Sequence, residues 1–120
     1  MLRPLVDAGV DIFDASTRRY DMPAFGGSEL TLAGWTKKVT SLPCMAVGGV
    51  GLDRDLYGSY AAGGRDGIDN LDGVRERITT GEFDLIGVGR ALIADPQWAR
   101  KAASGERFLP FDPATVKTLI

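Results

Sequence analysis

The chain has 120 residues, with 14 basic and 16 acidic side chains and a net charge of −2. That balance excludes a general electrostatic grip on nucleic acid or on an anionic membrane. An apolar fraction of 44% and a charged fraction of 25% fit a folded globular chain and not a disordered one. There is no histidine and one cysteine, Cys44, so a Ser-His-Asp triad, a Cys-His dyad, a histidine-based zinc site and an internal disulfide are all excluded, and no metal site is expected. A lone thiol fits a reducing cytoplasm. No apolar run reaches the ~18 residues that span a bilayer, and Met1–Leu5 lacks the features of a signal peptide. Glycine is the one excess: 16 residues where average usage of about 7% gives roughly half as many.

In chain order, Leu2, Leu5 and Val6 have helical spacing that stops at Ala8-Gly9. Val10–Asp14 reads as a short buried strand, and Ser16–Ser28 as a loop. Leu30–Ser41 reads as a helix with Leu32, Trp35, Thr36 and Val39 on one face. Cys44–Val47 is a second apolar strand, closed by Gly48-Gly49. The stretch from Leu52 to Gly67 resists assignment. Asn70–Thr80 reads as a helix on Leu71, Val74 and Ile78, and Phe83–Val88 as a third strand ending at Gly89-Arg90. A short helix over Ala91–Ala94, another from Pro96 to about Ser104 and a last one in the tail complete the pattern.

Strands alternating with helices predict parallel β/α units. The strand starts lie about 34 and 40 residues apart, which leaves room for one helix and its loops in each gap, as a β/α crossover of roughly 30 or more residues requires. A (β/α)8 barrel needs eight strands and typically about 250 residues. The expected architecture is therefore α/β, either part of such a barrel or the edge of an open sheet.

Two strand ends share one chemistry. Val47-Gly48-Gly49-Val50-Gly51 follows the second strand, and Gly87-Val88-Gly89-Arg90 the third. Glycines there let backbone N–H groups approach an anion closely, and Arg90 supplies a charged fork suited to phosphate. The plainer reading is that the glycines only permit tight turns. A P-loop is excluded because no Gly-Lys-Ser/Thr tripeptide occurs. The dinucleotide pattern fails because Leu92 stands where the third glycine belongs. After the first strand, Asp14, Ser16, Arg18 and Arg19 are candidates for contact with a ligand or a solvated loop. Trp35 and Trp98 read as packing residues, and Cys44 as an inert core thiol.

Four blocks carry a resemblance: Asp11–Arg19, Leu32–Lys38, Ala46–Leu52 and Phe83–Pro96. In this order they resemble the C-terminal third of the Old Yellow Enzyme family, in its NADH:flavin oxidoreductase and 12-oxophytodienoate reductase-like branch. The resemblance covers nearly the whole chain and implies the last three β/α units of a (β/α)8 barrel, with residues 1–120 as the C-terminal segment of an FMN-binding domain. It implies that Gly48, Gly49, Gly89 and Arg90 hold the FMN phosphate. It implies NAD(P)H as reductant and an enone-type small molecule as substrate, with Tyr20 and Met22 bordering the substrate pocket. The family's substrate-anchoring His/Asn or His/His pair and its proton-donating tyrosine lie upstream, so no catalytic residue is assigned here. Such a segment is expected to need an upstream barrel segment or self-association. Two alternatives remain: a phosphate-binding barrel segment of a non-redox enzyme, and a non-catalytic assembly module.

Overall fold

A computed structural model describes residues 1–52 and 70–112. The unassigned stretch after Leu52 and the last predicted helix therefore lie outside the described residues, apart from Leu52 itself. Among the described residues eight elements follow in order: α1 (Leu2–Asp7), β1 (Phe13–Ser16), α2 (Leu32–Thr40), β2 (Cys44–Val47), α3 (Leu71–Thr79), β3 (Leu85–Gly87), α4 (Arg90–Ala94) and α5 (Trp98–Ser104). The chain divides into two compact units. Unit 1 comprises Met1–Gly48 and Gly73–Gly87, and unit 2 comprises Gly49–Asp72 and Val88–Ile120.

Unit 1 is a three-stranded parallel sheet in the order β1-β2-β3. This small α/β arrangement is compatible with consecutive β/α units. Its register pairs Phe13 with Cys44, Asp14 with Met45 and Ala15 with Ala46, and on the other side of β2 pairs Met45 with Leu85 and Ala46 with Ile86. Successive side chains point to opposite faces, so the two faces can be assigned from that register. One face carries Phe13, Ala15, Cys44, Ala46 and Ile86, of which Ala15, Cys44 and Ala46 are buried. Helix α2 packs on β1 and β2. The other face carries Asp14, Ser16, Met45, Val47, Leu85 and Gly87, and Leu85 remains 49% exposed.

Two sequence expectations shift. The first strand begins at Phe13 and not Val10, because its ladder with β2 extends through Ser16 and is continued by the Thr17 N–H donating to the Val47 carbonyl at 2.9 Å. Val10 instead donates to the Leu5 carbonyl, and Ile12 is exposed. In α2 the buried residues are Ala33, Gly34 and Thr36, while Leu32 and Val39 are exposed. The small side chains bring the helix close: a Cβ on Gly34 would stand 2.8 Å from Glu82 Cγ. The Glu82 carboxylate accepts from the Thr31 N–H at 2.9 Å, and Thr31 caps α2 by accepting from the Gly34 N–H.

The polar ties at the start of the strands are satisfied within the unit. Asp84 accepts from Lys37 Nζ at 2.7 Å and from the Cys44 N–H at 3.0 Å, and these partners hold its carboxyl below the ordinary carboxylate range. Burial pushes the Cys44 thiol up, with Asp84 and Asp14 adding to the shift. A buried, raised thiol is a poor nucleophile. A groove of about 380 Å³ lined by Leu30, Gly34, Lys37, Lys38, Thr80, Gly81 and Glu82 lies in unit 1; Lys37 and Glu82 are already engaged as described.

The core of unit 2 contains Val50, Leu52, Leu71, Ala91, Trp98 and Phe111. Trp98 stacks on Phe108, with ring centroids 5.2 Å apart. Asp95, only 2% exposed, ties the unit together: its carboxylate accepts from Lys101 Nζ at 2.6 Å, the Leu109 N–H at 3.0 Å and the Gln97 N–H at 3.1 Å. Lys101 first, then the two backbone donors, hold the Asp95 carboxyl below its ordinary range.

A carboxyl depressed on folding stabilises the fold above its unfolded value, about 3.9, and that stabilisation is lost as pH falls through the lower folded value. Thermal melts between pH 7 and pH 3 should show the melting temperature falling below about pH 4. In Asp95→Asn the plateau should be lower and the acid slope shallower. An acid slope as steep as that of the native chain would remove Asp95 as its source.

No helix among the described residues is long and apolar enough to cross a membrane. No group of three or more metal-ligating side chains occurs among the described residues.

Candidate functional site

The chain leaves β2 through Gly48, which closes unit 1. Its φ is +134°, a region that side chains rarely enter, and a Cβ there would collide with the Thr17 carbonyl oxygen. The Gly48 carbonyl accepts from the Tyr20 N–H at 2.9 Å. Backbone approach to residues 17–20 thus accounts for this glycine.

Unit 2 begins with the turn over Gly49, Val50 and Gly51. Gly49 and Gly51 are left-handed, with φ of +72° and +71°, and Val50 between them is buried. Asn70 holds the turn from both sides. Its Oδ1 accepts from the Gly51 N–H and its Nδ2 donates to the Gly49 carbonyl, each at 2.9 Å. Gly51 also backs onto α4 and α5: a Cβ there would stand 2.8 Å from Ala91 Cβ and 3.0 Å from Trp98 Nε1. Trp98 is buried, and its indole N–H finds no hydrogen-bond partner among the described residues.

Gly89 immediately precedes α4, and its carbonyl accepts from the Leu92 and Ile93 N–H groups at 2.9 and 3.1 Å. A Cβ on Gly89 would meet nothing within 4 Å. Packing therefore does not require glycine here, and the backbone stands clear for a group approaching from outside. Arg90 is half-buried, with its guanidinium carbon 5.7 Å from the centroid of the buried Phe111 ring. A cation–π contact of this kind restrains the side chain while keeping its charge. Gly49, Gly89 and Arg90 thus all belong to unit 2, where contact of Gly51 with Ala91 packs the glycine turn against α4.

The two residues expected to border a substrate have different settings. Tyr20 is 4% exposed: its ring meets Phe83 edge-on at 6.3 Å, and Arg77 lies 5.9 Å from its centroid. A Cβ on Gly73 would come within 2.7 Å of its hydroxyl, so the missing side chain makes room for the tyrosine. The ring is occupied by core packing, and burial raises the phenol's pKa. Met22 is 55% exposed on the long connection between β1 and α2. Nearby, the Ser16 hydroxyl donates to Asp14 at 2.9 Å, and Arg19 is paired with Asp21 at 2.9 Å.

Asn70 is the functional candidate that sequence reading missed. An asparagine before a helical pattern reads as a helix cap, and its partners lie 19 and 21 residues upstream.

No family model matches the chain. In an alignment 111 positions long that covers 86% of the chain, it is 30% identical to an NADH oxidase of Thermoanaerobacter brockii. The match covers 14% of that relative, so the chain corresponds to a small part of it.

Proposed function

We propose that this chain is the FMN-phosphate-binding portion of an NAD(P)H-dependent flavin oxidoreductase of the ene-reductase type. Gly49, Gly89 and Arg90 hold the phosphate, and Gly48 turns the chain out of the strand ahead of them. The observation that carries this reading is the packing of the clamped 49–51 turn against α4, with an open backbone at Gly89 and a restrained cation at Arg90. Backbone donors at close range together with a guanidinium fork suit a phosphate dianion. The similarity to part of an NADH oxidase supports redox chemistry over a non-redox phosphate site.

FMN, when bound, supplies hydride transfer from NAD(P)H to an activated alkene. The contribution of this chain is to anchor the phosphate end, with Met22 as the exposed candidate for substrate contact. The open sheet face at Met45, Val47 and Leu85 supports the further reading that these are the last three units of a (β/α)8 barrel, with that face turned inward. Parallel sheets are normally covered on both faces. Upstream strands or a second copy would provide the missing cover.

The test is a titration of the purified chain with FMN, followed by flavin fluorescence, with riboflavin as the phosphate-free control and circular dichroism to establish folding. The expected result is saturable FMN binding at least about tenfold tighter than riboflavin, as one or two charge-assisted hydrogen bonds predict. Equal binding of both flavins by a folded chain would refute the phosphate assignment.

A further inference from the structure

We propose that Asn70 is the positioning residue of this phosphate site: it sets the 49–51 turn in its binding shape before any ligand arrives. The inference rests on the phosphate reading above and adds a residue from outside both glycine motifs. Glycine is conformationally the freest residue, and this turn contains two, both left-handed. Left alone, such a turn would occupy many shapes and lose that freedom on binding.

The Asn70 amide removes the freedom beforehand. It accepts from the Gly51 N–H and donates to the Gly49 carbonyl, so one planar group ties the polar atoms of two glycines together across Val50. The task needs a donor and an acceptor on one short side chain, which an amide has and a carboxylate lacks. The clamp also sorts the donors: the Gly51 N–H faces Asn70, so the phosphate draws on other groups in the unit. Contact of Gly51 with Ala91 and Trp98 fixes the far side of the turn, so its position relative to α4 is transmitted to Gly89 and Arg90 within unit 2.

The experiment compares the full native chain with Asn70→Ala and Asn70→Asp. Asn70→Asp retains the shape and the acceptor, loses the donor and adds a negative charge, so its FMN and riboflavin titrations are run at raised ionic strength, where repulsion of the phosphate is screened; it keeps the test valid should Asn70→Ala fold poorly. Amide hydrogen exchange at Gly51 reports the clamp, and FMN and riboflavin titrations report the site. In the native chain the Gly51 amide should exchange slowly. It should exchange at least about tenfold faster in Asn70→Ala and remain slow in Asn70→Asp. Both variants should bind FMN about tenfold more weakly while riboflavin binding changes less than about twofold. An unchanged Gly51 amide in a folded Asn70→Ala chain overturns the clamp. A native preference for FMN that survives in either folded variant overturns the positioning role and leaves the phosphate site standing. A native chain that binds FMN and riboflavin equally removes the phosphate reading and this role with it, and the exchange data then show whether Asn70 is a purely structural clamp.

Discussion

Gly48→Ala is expected to destabilise the chain by about 3 kcal/mol or more, a large fraction of the 5–15 kcal/mol typical of a domain. Two costs combine. The backbone at φ +134° lies where an L side chain is strained, and the added Cβ would meet the Thr17 carbonyl oxygen and stand 2.9 Å from the Arg18 carbonyl carbon. Those are backbone atoms, held by the Thr17 and Tyr20 N–H bonds to Val47 and Gly48, so they cannot swing aside as a flexible side chain would. Gly89→Ala is the informative contrast. Its Cβ enters open space, so no steric clash adds to the roughly 1 kcal/mol by which alanine is the poorer helix cap. Thermal denaturation of the two variants checks the pair. On the phosphate reading, Gly89→Ala nevertheless weakens FMN binding, because the open space its Cβ enters is where the phosphate approaches. Similar melting temperatures for the two variants would contradict the stated role of Gly48.

What was legible in the sequence follows from what is local. Cys44–Val47 is a strand at the expected bounds because an apolar run closed by glycines states both its burial and its end. Helix α3 follows from the spacing of Leu71 and Val74, both buried. The displaced first strand shows the limit. Ser16 and Thr17 are polar and read as loop, yet pairing with β2 recruits them, and no local pattern encodes a partner 30 residues away. The face of α2 was misread for a related reason. Leu32 and Val39 are the larger apolar residues, but close approach of the helix to the sheet selects Ala33, Gly34 and Thr36. The glycine motifs were visible as motifs, whereas the division of labour within them was not. Gly48, Gly51 and Gly87 are explained by neighbours that the fold brings up, whereas Gly89 stands open. Tyr20 looked available on a polar loop and is instead a core ring, held by Phe83 and accommodated by Gly73.

The division of polar and apolar residues on the sheet bears on whether the chain associates. On the uncovered face Asp14 and Ser16 stand beside Met45, Val47 and Leu85, and Asp14 and Ser16 are joined by a hydrogen bond. A surface face would carry charge along its length to discourage association. Here Asp14, Met45 and Leu85 form one row and Ser16, Val47 and Gly87 the next, so apolar side chains occur in both rows. Such a face predicts that the chain associates in solution unless the face is covered.

Arg90→Ala should cost FMN about 1.5–3 kcal/mol of binding free energy, the range for hydrogen bonds to a charged group, or roughly ten- to 150-fold in affinity. Riboflavin, which lacks the phosphate, should bind the variant as it binds the native chain. The cation–π contact with Phe111 lost in the variant is worth about 0.5–1 kcal/mol at a partly exposed site, and thermal melts read the cost to the fold separately from binding. Arg90→Lys separates charge from shape. It keeps the cation and gives up the planar fork, so its FMN affinity should lie between those of the native chain and Arg90→Ala. The same geometry makes salt a second axis of the test. On the phosphate reading, a guanidinium–phosphate contact at a half-buried residue would be screened as ionic strength rises, so the native preference for FMN over riboflavin should narrow with added salt, and the remaining preference of Arg90→Ala should depend on salt less steeply. An FMN affinity that survives Arg90→Ala unchanged would remove the guanidinium from the phosphate site and leave it a packing role in unit 2, where it lies over Phe111.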